Sequence, residues 1–128
     1  MEQQYLIDNN VIANYFSGIF SEAAMNFVAR VIDQTPNISV ITEIEALSWS
    51  HKDRNKEIIL QSFIEDSNIL PLSPNVVKKC ISIRRHKKIK TPDAIIAATA
   101  IVYDYILLTS DTDFKNIPNL QVLDPCSL

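Results

Sequence analysis

The segment KTPDAIIAATA, residues 90–100, decides how the rest of the chain is interpreted. After Asp93, every residue to position 100 except Thr99 is Ala or Ile, which is typical of a helix buried on most of its surface. Thr91 and Pro92 predict the helix start, with Thr91 as the cap, because proline is favoured in the first helical turn. The segment therefore places the carboxylate of Asp93 at the entrance to a buried helix.

Short apolar segments alternate with helical patterns on both sides of this helix. Between these segments, apolar residues recur with a helical period, as they do at positions 24, 27, 28, 31 and 32. Such alternation, with strands that are nearly continuous apolar runs, predicts a three-layer α/β/α fold around a mainly parallel sheet. The chain length predicts a single domain, residues 1–128. The predicted strands are QYLID (4–8), NISVI (37–41), NILPL (68–72), YILLTSD (105–111) and LQVLD (120–124).

Several helix ends are predicted from local signals. Gly18 follows NNVIANYFS as a C-cap, and Ser73 followed by Pro74 marks an N-cap and a first helical residue. Thr42 and Glu45 match the T-x-x-E pattern of a capping box, which predicts a helix that starts at Thr42. Gly18 is also the chain's one glycine, so neither a Walker loop nor a dinucleotide-binding fingerprint, which need several glycines, can be present.

Composition points to an ordinary globular protein of the cytoplasm. The apolar runs fall far short of the roughly 20 residues that span a bilayer, and the N-terminal residues lack a signal-peptide pattern, so we expect no membrane partner. Cys80 and Cys126 have no metal-type spacing and are expected to be free thiols. The net charge is −3, yet residues 84–90, RRHKKIK, hold five of the twelve basic residues. His51 and His86 lie in polar segments and are expected to be exposed.

Acidic residues follow several predicted strands or begin the helices after them. Asp8 ends the first strand, Glu45 follows the second, Asp93 begins the buried helix, and Asp111 and Asp113 follow YILLTS. In open parallel sheets, ligands bind at the carboxyl ends of the strands, where these acids are predicted to converge. Carboxylates packed into one cleft raise one another's pKa unless a cation compensates, and Mg²⁺ and Mn²⁺ prefer oxygen ligands.

Each acid also has an alternative role at a helix end. Asp8 and Asp111 can cap the turns that follow them, Glu45 can complete a capping box, and Asp93 suits the positive end of a helix dipole. Uncharged Ser, Thr or Asn can cap equally well, so capping alone does not explain this many carboxylates. Glu43 is an alternative to Glu45, and the two lie about 200° apart around a helix.

Four segments together resemble the motifs of the PIN-domain family, and more narrowly the VapC-type toxins of bacterial and archaeal toxin–antitoxin pairs. The resemblance runs in order from Tyr5 to Phe114. Its most specific part is DAIIAATA with TSDTDF downstream, and Ala46 stands where the family usually has leucine. The segments are YLIDNNVIANYF, ISVITEIEALSW, KTPDAIIAATA and LLTSDTDF.

The resemblance implies the residues of a functional site. The family's four acids, as catalytic residues and metal ligands, fall on Asp8, Glu45, Asp93 and Asp111. An additional metal ligand falls on Asp113, and supporting polar residues fall on Asn10 and Thr109.

The implied activity is that of a metal-dependent endoribonuclease that cleaves structured RNA such as tRNA or rRNA with metal-activated water. The cofactor would be one or two Mg²⁺ or Mn²⁺ ions, and the partners an antitoxin protein and a second copy in a homodimer. Phe16, Phe20 and IILQSFI (58–64) are candidate partner surfaces. The alternative is a catalytically silent PIN-like module that binds RNA or protein, because a fold alone does not fix function.

Contacts to RNA are predicted from the basic run. Five side chains can reach phosphates near Asp93, although cations near a helix C-terminus are also favoured by its dipole. Tyr15, Phe16 and Trp49 can stack on bases, but aromatic residues in helices more often belong to the core. The predicted phosphate contacts are Arg84, Arg85, Lys87, Lys88 and Lys90.

Overall fold

A computed structural model describes residues 3–50 and 52–128 and contains a five-stranded sheet. The strands lie in the order β3-β2-β1-β4-β5, and every neighbouring pair is parallel. Because β1 is followed on one side by β2 and β3 and on the other by β4 and β5, the chain changes direction across the sheet at β1. The strands are β1 (Tyr5–Ile7), β2 (Asn37–Ser39), β3 (Asn68–Leu70), β4 (Ile106–Leu108) and β5 (Val122–Leu123).

Helices connect the strands and cover both faces of the sheet. Their order is α1 (Asn9–Ser17), α2 (Glu22–Asp33), α3 (Val40–Ser48), α4 (Arg54–Glu65), α5 (Pro74–His86) and α6 (Thr91–Tyr103). Two short 3₁₀ helices, Thr112–Phe114 and Pro125–Ser127, follow β4 and β5. Within the described residues, no helix is long and apolar enough to cross a membrane.

Two hydrophobic cores lie on opposite faces of the sheet, as the alternation of side chains along a strand requires. Leu6 and Leu107 pack with α5 and α6 on one face. Ile7 and Leu108, the next residues along the same strands, pack with α1, α2 and α4 on the other face. The predicted three-layer fold with a parallel sheet is therefore confirmed.

Helix α6 is buried along most of its length, as its composition predicts. Ala94, Ala97, Ala98 and Ala100 are almost wholly buried, and their small side chains let the helix lie close to α5 and the sheet. The buried hydroxyl of Thr99 donates to the carbonyl oxygen of Ile95 at 2.7 Å, so this polar group is satisfied within the helix. The Asp93 end of α6 thus belongs to a fixed element.

Two predicted helix starts are wrong. Helix α3 begins at Val40, because the Ser39 side chain at the end of β2 accepts a hydrogen bond from the Thr42 N–H and acts as the N-cap. Thr42 and Glu45 therefore form no capping box, and Glu45 lies in the second turn. Helix α6 begins at Thr91, one residue earlier than predicted, because the Lys90 carbonyl accepts the first helical bond.

Several other predicted features are confirmed where the structure describes them, but the predicted strand 37–41 ends two residues early, because Val40 and Ile41 begin α3. Gly18 caps α1 with φ 69°, in the left-handed region that glycine adopts without strain, and Ser73 caps α5. Cys80 and Cys126 are free cysteines, the first buried and the second exposed. His86 is exposed. His51 lies outside the described residues.

Candidate metal centre at the ends of two neighbouring strands

The predicted acids lie at the carboxyl end of the sheet, where β1 and β4 run side by side. The Asp8 N–H donates to the Leu108 carbonyl at 3.0 Å, so the residues that follow the two strands begin next to each other. After β1 the chain continues to β2, and after β4 it continues to β5, so the two connections run toward opposite edges of the sheet. This is a topological switch point, where open α/β sheets form a crevice for ligands.

Asp8 is the most buried of the predicted acids. Its side chain is only 6% exposed, and one carboxylate oxygen accepts the Asn9 N–H at 2.8 Å, which caps α1. Burial raises the pKa of Asp8, hydrogen bonds from Thr109 and Asn9 lower it, and the carboxylates of Asp93 and Asp111 raise it again. The net direction is upward, so the charged form of Asp8 is disfavoured without a compensating cation.

Thr109 and Asn10 join the ends of β1 and β4 in one hydrogen-bond network. The Thr109 hydroxyl donates to Asp8 Oδ2 at 2.7 Å and accepts from Asn10 Nδ2 and the Asp111 N–H, both at 3.1 Å. Its one donor and two acceptor positions are therefore all used. Asn10 Nδ2 also donates to Asp8 Oδ2 at 3.1 Å. Both side chains hold Asp8 in place instead of offering free ligand atoms.

Three acids from two elements form a compact cluster. One carboxylate oxygen each from Asp93, Asp111 and Asp113 lies within 4.8 Å of the other two. Asp93 comes from the first turn of α6, and Asp111 caps the following 3₁₀ helix, since its Oδ1 accepts the Asp113 N–H at 2.9 Å. Desolvation raises the pKa of Asp93, as do Asp111 and Asp113, while Lys90 lowers it. Asp111 thus both caps a helix and belongs to the cluster.

Glu45 approaches the site from α3. Desolvation raises its pKa first, and the carboxylates of Asp8 and Asp93 raise it further. Glu45 is therefore within electrostatic reach of acids from β1 and α6. These couplings favour Glu45 over Glu43 as the residue that faces the site.

The donor set suits a hard divalent cation. The cluster of Asp93, Asp111 and Asp113 offers only carboxylate oxygens, which Mg²⁺ and Mn²⁺ prefer over nitrogen or sulfur. Asp8, Glu45 and Asp93 all have raised pKa values, partly through mutual repulsion that a cation would relieve. The residues present therefore fit a divalent metal ion.

Basic side chains occupy the rim near Asp93, but their surroundings differ. Arg84 Nε donates to the Ile89 carbonyl at 3.3 Å, and Lys87 Nζ donates to the Lys115 carbonyl at 2.9 Å, just after the 3₁₀ helix. Lys90 lowers the pKa of Asp93 and is therefore close to the acids. Arg85 and Lys88 are exposed. Lys87 and Lys90 of the basic run thus lie near the elements that carry the acidic cluster.

An apolar groove of about 640 Å³ begins at Glu45 and runs between α1, α3 and α4. Phe16 and Trp49 line it and are 44% and 57% exposed, so the expectation that these aromatic residues belong to the core is wrong. Phe16 makes T-shaped ring contacts with Phe63, at a centroid distance of 5.5 Å, and with Tyr15, at 5.4 Å, and still lines the groove. A protein surface with this much exposed aromatic area is characteristic of a binding site.

Ser110 and Asp124 were missed by the sequence-based prediction. The Ser110 hydroxyl donates to Asp124 Oδ1 at 2.7 Å, and Ser110 lies directly between Thr109 and Asp111. The signal for Asp124 was present, because it ends the predicted strand LQVLD and so lies at the same sheet edge as Asp8. No pattern distinguishes Ser110 from an ordinary turn residue.

The PIN-domain profile matches residues 5–120, and the chain belongs to the PIN-domain family. The chain is 33% identical to Ribonuclease VapC of Rickettsia bellii (strain RML369-C), over 92% of its own length and 93% of the relative's. The resemblance inferred from the four motifs, including its VapC character, is thereby confirmed.

Solved structures with the same fold include a toxin–antitoxin complex. A toxin–antitoxin complex from Klebsiella pneumoniae has a chain with 28% identity and a TM-score of 0.76, over 95% of this chain and 98% of that one. FitAcB from Neisseria gonorrhoeae superposes with a TM-score of 0.81 over 98% of this chain and 100% of that chain. At 24% identity, this second match supports the fold alone.

Proposed function

We propose that the protein is a metal-dependent endoribonuclease that acts as the toxin of a toxin–antitoxin pair. The observation that carries the proposal is the carboxylate cluster at the switch point, in a chain 33% identical to a ribonuclease VapC. The cofactor is one or two Mg²⁺ or Mn²⁺ ions, and the substrate is a structured RNA such as tRNA or rRNA. An RNA substrate and free thiols are both consistent with the cytoplasm as the site of action.

The roles of the site residues follow from their positions. Asp8, Glu45, Asp93, Asp111 and Asp113 would hold the metal, with Asp8 kept in orientation by its hydrogen bonds to neighbouring side chains. A divalent ion held by these residues would lower the pKa of a water molecule and would neutralise charge on the phosphate during an in-line displacement. Burial of Asp8 and the fixed end of α6 limit the movement of these oxygens, which supports preorganisation.

RNA must approach an acidic site against electrostatic repulsion. Arg85, Lys88 and Lys90 are exposed, and Lys90 is close to Asp93, so these side chains would supply a positive rim that attracts phosphates. Lys87 Nζ donates one hydrogen bond to the Lys115 carbonyl, and Arg84 Nε donates one to the Ile89 carbonyl. Both side chains keep further N–H donors, since lysine has three and arginine five, so all five basic residues of the run can contact phosphates.

We propose that an antitoxin segment binds the groove that begins at Glu45. Phe16, Trp49 and Ile59 supply exposed apolar surface there, and an occupant of the groove would lie at the edge of the carboxylate cluster. Phe20, predicted as partner surface from its apolar character, is buried in the core and is not available. For a homodimer, exposed Val77 on α5 belongs to a second apolar surface.

The proposal is tested with purified protein free of any partner. Wild type should cleave RNA in Mg²⁺ or Mn²⁺. Asp8→Asn and Asp93→Asn should each lower the cleavage rate by about 100-fold or more. This exceeds the loss of about 10–100-fold in metal affinity or activity that is typical when a metal ligand loses only its supporting hydrogen bond. Asp33→Asn, an exposed acid on α2, removes the same charge and should cleave normally. Full activity of Asp93→Asn in a folded protein would refute the site.

The alternative is a catalytically silent PIN-like module that binds RNA or protein. It shares the fold but needs no metal for binding. The carboxylate cluster favours the nuclease, because mutually repelling acids have no evident use in binding an RNA backbone. RNA binding that persists in EDTA, with no cleavage under any metal condition, would favour the silent module.

A further inference from the structure

The turn that carries Asp111 and Asp113 is tied to β5 through one side-chain contact. The Ser110 hydroxyl donates to Asp124 Oδ1 at 2.7 Å. A hydroxyl bonded to a carboxylate forms a charge-assisted bond, which is shorter and stronger than one between neutral groups. Asp124 is half-buried at the end of β5, so this bond is partly protected from competing water.

Ser110 is also held from the opposite side. Its backbone N–H donates to Asn10 Oδ1 at 3.3 Å, and Asn10 is bonded to Asp8 and Thr109. The residue before Asp111 therefore has two attachments, one toward β1 and one toward β5. Because the Asp111 N–H is bonded to Thr109 as well, the backbone of this turn has little freedom to move the carboxylate of Asp111.

Asp124 has its own supports, independent of the acidic cluster. Its Oδ1 accepts the Cys126 N–H at 2.9 Å, and its carbonyl accepts the Ser127 hydroxyl at 2.6 Å. The Cys126 sulfur also lies 3.5 Å from Ser110 Oγ. Asp124 is not part of the group formed by Asp93, Asp111 and Asp113 in the described chain. Asp124 contacts the turn that carries Asp111 and Asp113 through the Ser110 hydroxyl.

We infer that Ser110 and Asp124 are positioning residues for the metal-ligand turn, and this inference rests on the proposed function of that turn. Asp111 Oδ1 is engaged with the Asp113 N–H, so a shift of Asp111 moves both ligands together. Residues that hold a metal ligand in place by hydrogen bonds typically contribute about 10–100-fold to metal affinity. Ser110 lies within the quoted PIN segment TSDTDF but has no assigned role there, and none of the quoted segments reaches Asp124.

The experiment measures Mn²⁺ affinity of the full chain by isothermal titration calorimetry. Ser110→Ala and Asp124→Ala should each weaken binding by about 10–100-fold, whereas Ser110→Thr keeps the hydroxyl and should restore most of it. The double variant should bind no more weakly than the weaker single variant, because both changes remove the same bond. Ser127→Ala removes a different hydrogen bond from the same tail and should bind as wild type does.

The possible outcomes separate the inference from the proposed function. If wild type binds Mn²⁺ and Ser110→Ala binds equally well, the positioning role is refuted while the metal site stands. Losses that add fully in the double variant would also refute it, since the residues would then act independently. If wild type itself binds no Mn²⁺, the proposed function fails and the positioning role fails with it. Thermal midpoints of the metal-free variants, expected to match that of Ser127→Ala, separate loss of affinity from loss of fold.

Discussion

The carboxylate of Asp8 combines a helix cap with a position among the acids of the candidate metal centre. It caps α1 through Asn9, and it faces Asp93 and Asp111 closely enough for their charges to raise its pKa. The hydrogen bonds from Thr109 and Asn9 stabilise the charged form, but burial outweighs them. The charged carboxylates at this site therefore make the metal-free fold less stable, and a bound cation would offset this loss of stability.

At the residue scale, we predict that the metal-free fold loses stability as pH rises through the acid range. Asp8, Glu45 and Asp93 have raised pKa values in the fold, so the native state binds protons more tightly than the unfolded chain does. Their contribution is fully present below the unfolded pKa values and is lost as pH rises through the raised folded ones. Thermal melting in EDTA should therefore show Asp93→Asn to be more stable than wild type at neutral pH.

The control for this prediction is Asp33→Asn, which removes an exposed carboxylate on α2. Its change in melting temperature with pH should parallel that of wild type. Saturating Mn²⁺ should reverse the order, since wild type gains binding free energy that Asp93→Asn lacks. An Asp93→Asn variant that melts below wild type at every pH in EDTA would contradict the account of the site's electrostatics.

Helix α6 shows how an element can serve as a fixed support. Its alanines let it lie against both α5 and the sheet, and Asp93 extends from its first turn. Close packing of this kind leaves little room for larger side chains. The position of Asp93 relative to β1 and β4 is thus set by the core, not by the loop before the helix.

At the element scale, we predict that Ala97→Leu destabilises the protein by about 1–3 kcal/mol. Ala97 is completely buried, so the added methylene and methyl groups must displace neighbours. Val102→Ala changes an exposed position of the same helix and should reduce stability by much less than Ala97→Leu does. Urea unfolding followed by circular dichroism gives both values. A stability of Ala97→Leu equal to wild type would show that α6 is loosely packed.

The same element shows how far sequence reasoning extends. The run of Ala and Ile in KTPDAIIAATA predicts burial correctly, because composition alone determines which surface a helix can bury. The start of α3 was predicted at Thr42 because Thr42 and Glu45 fit a capping pattern, but Ser39 at the strand end competes and caps first. Local patterns do not show which of two nearby caps is used.

The residues of the site also divide into those that the sequence predicts and those that it does not. Acids at strand ends could be found because a parallel sheet brings those ends to one edge, as Asp8 and Asp111 illustrate. The link between Ser110 and Asp124 could not be found, since it depends on the register of β4 against β5. Exposure of Phe16 was missed for a similar reason, because the gap between α1 and α4 is a property of helix packing.

Across the whole molecule, basic and acidic side chains form separate groups that lie a short distance apart. The net charge is −3, yet the run at residues 84–90 places a positive rim beside an acidic cluster. The rim would attract RNA, and the cluster would repel it unless a cation is bound. Affinity for RNA should therefore depend on both salt and metal.

At this scale, we predict that Arg85→Ala with Lys88→Ala weakens RNA binding and flattens its dependence on salt. Each lost phosphate contact should reduce the slope of log affinity against log salt by about 0.7 for single-stranded regions. Fluorescence anisotropy in the Asp93→Asn background measures binding without cleavage. Arg30→Ala, an exposed arginine on α2, is the matched control and should keep the wild-type slope. An unchanged slope in the double variant would exclude the rim from the RNA interface.

The initial rate of RNA cleavage as a function of Mn²⁺ concentration tests the central claim most directly. We expect no cleavage by the purified chain in EDTA, a saturable rise as Mn²⁺ is added, and reversal when EDTA is restored. This is expected because the acids of the cluster offer oxygen ligands for a cation, and no histidine of the described chain belongs to that cluster. Cleavage at the same rate in EDTA, by protein freed of metal, would contradict it.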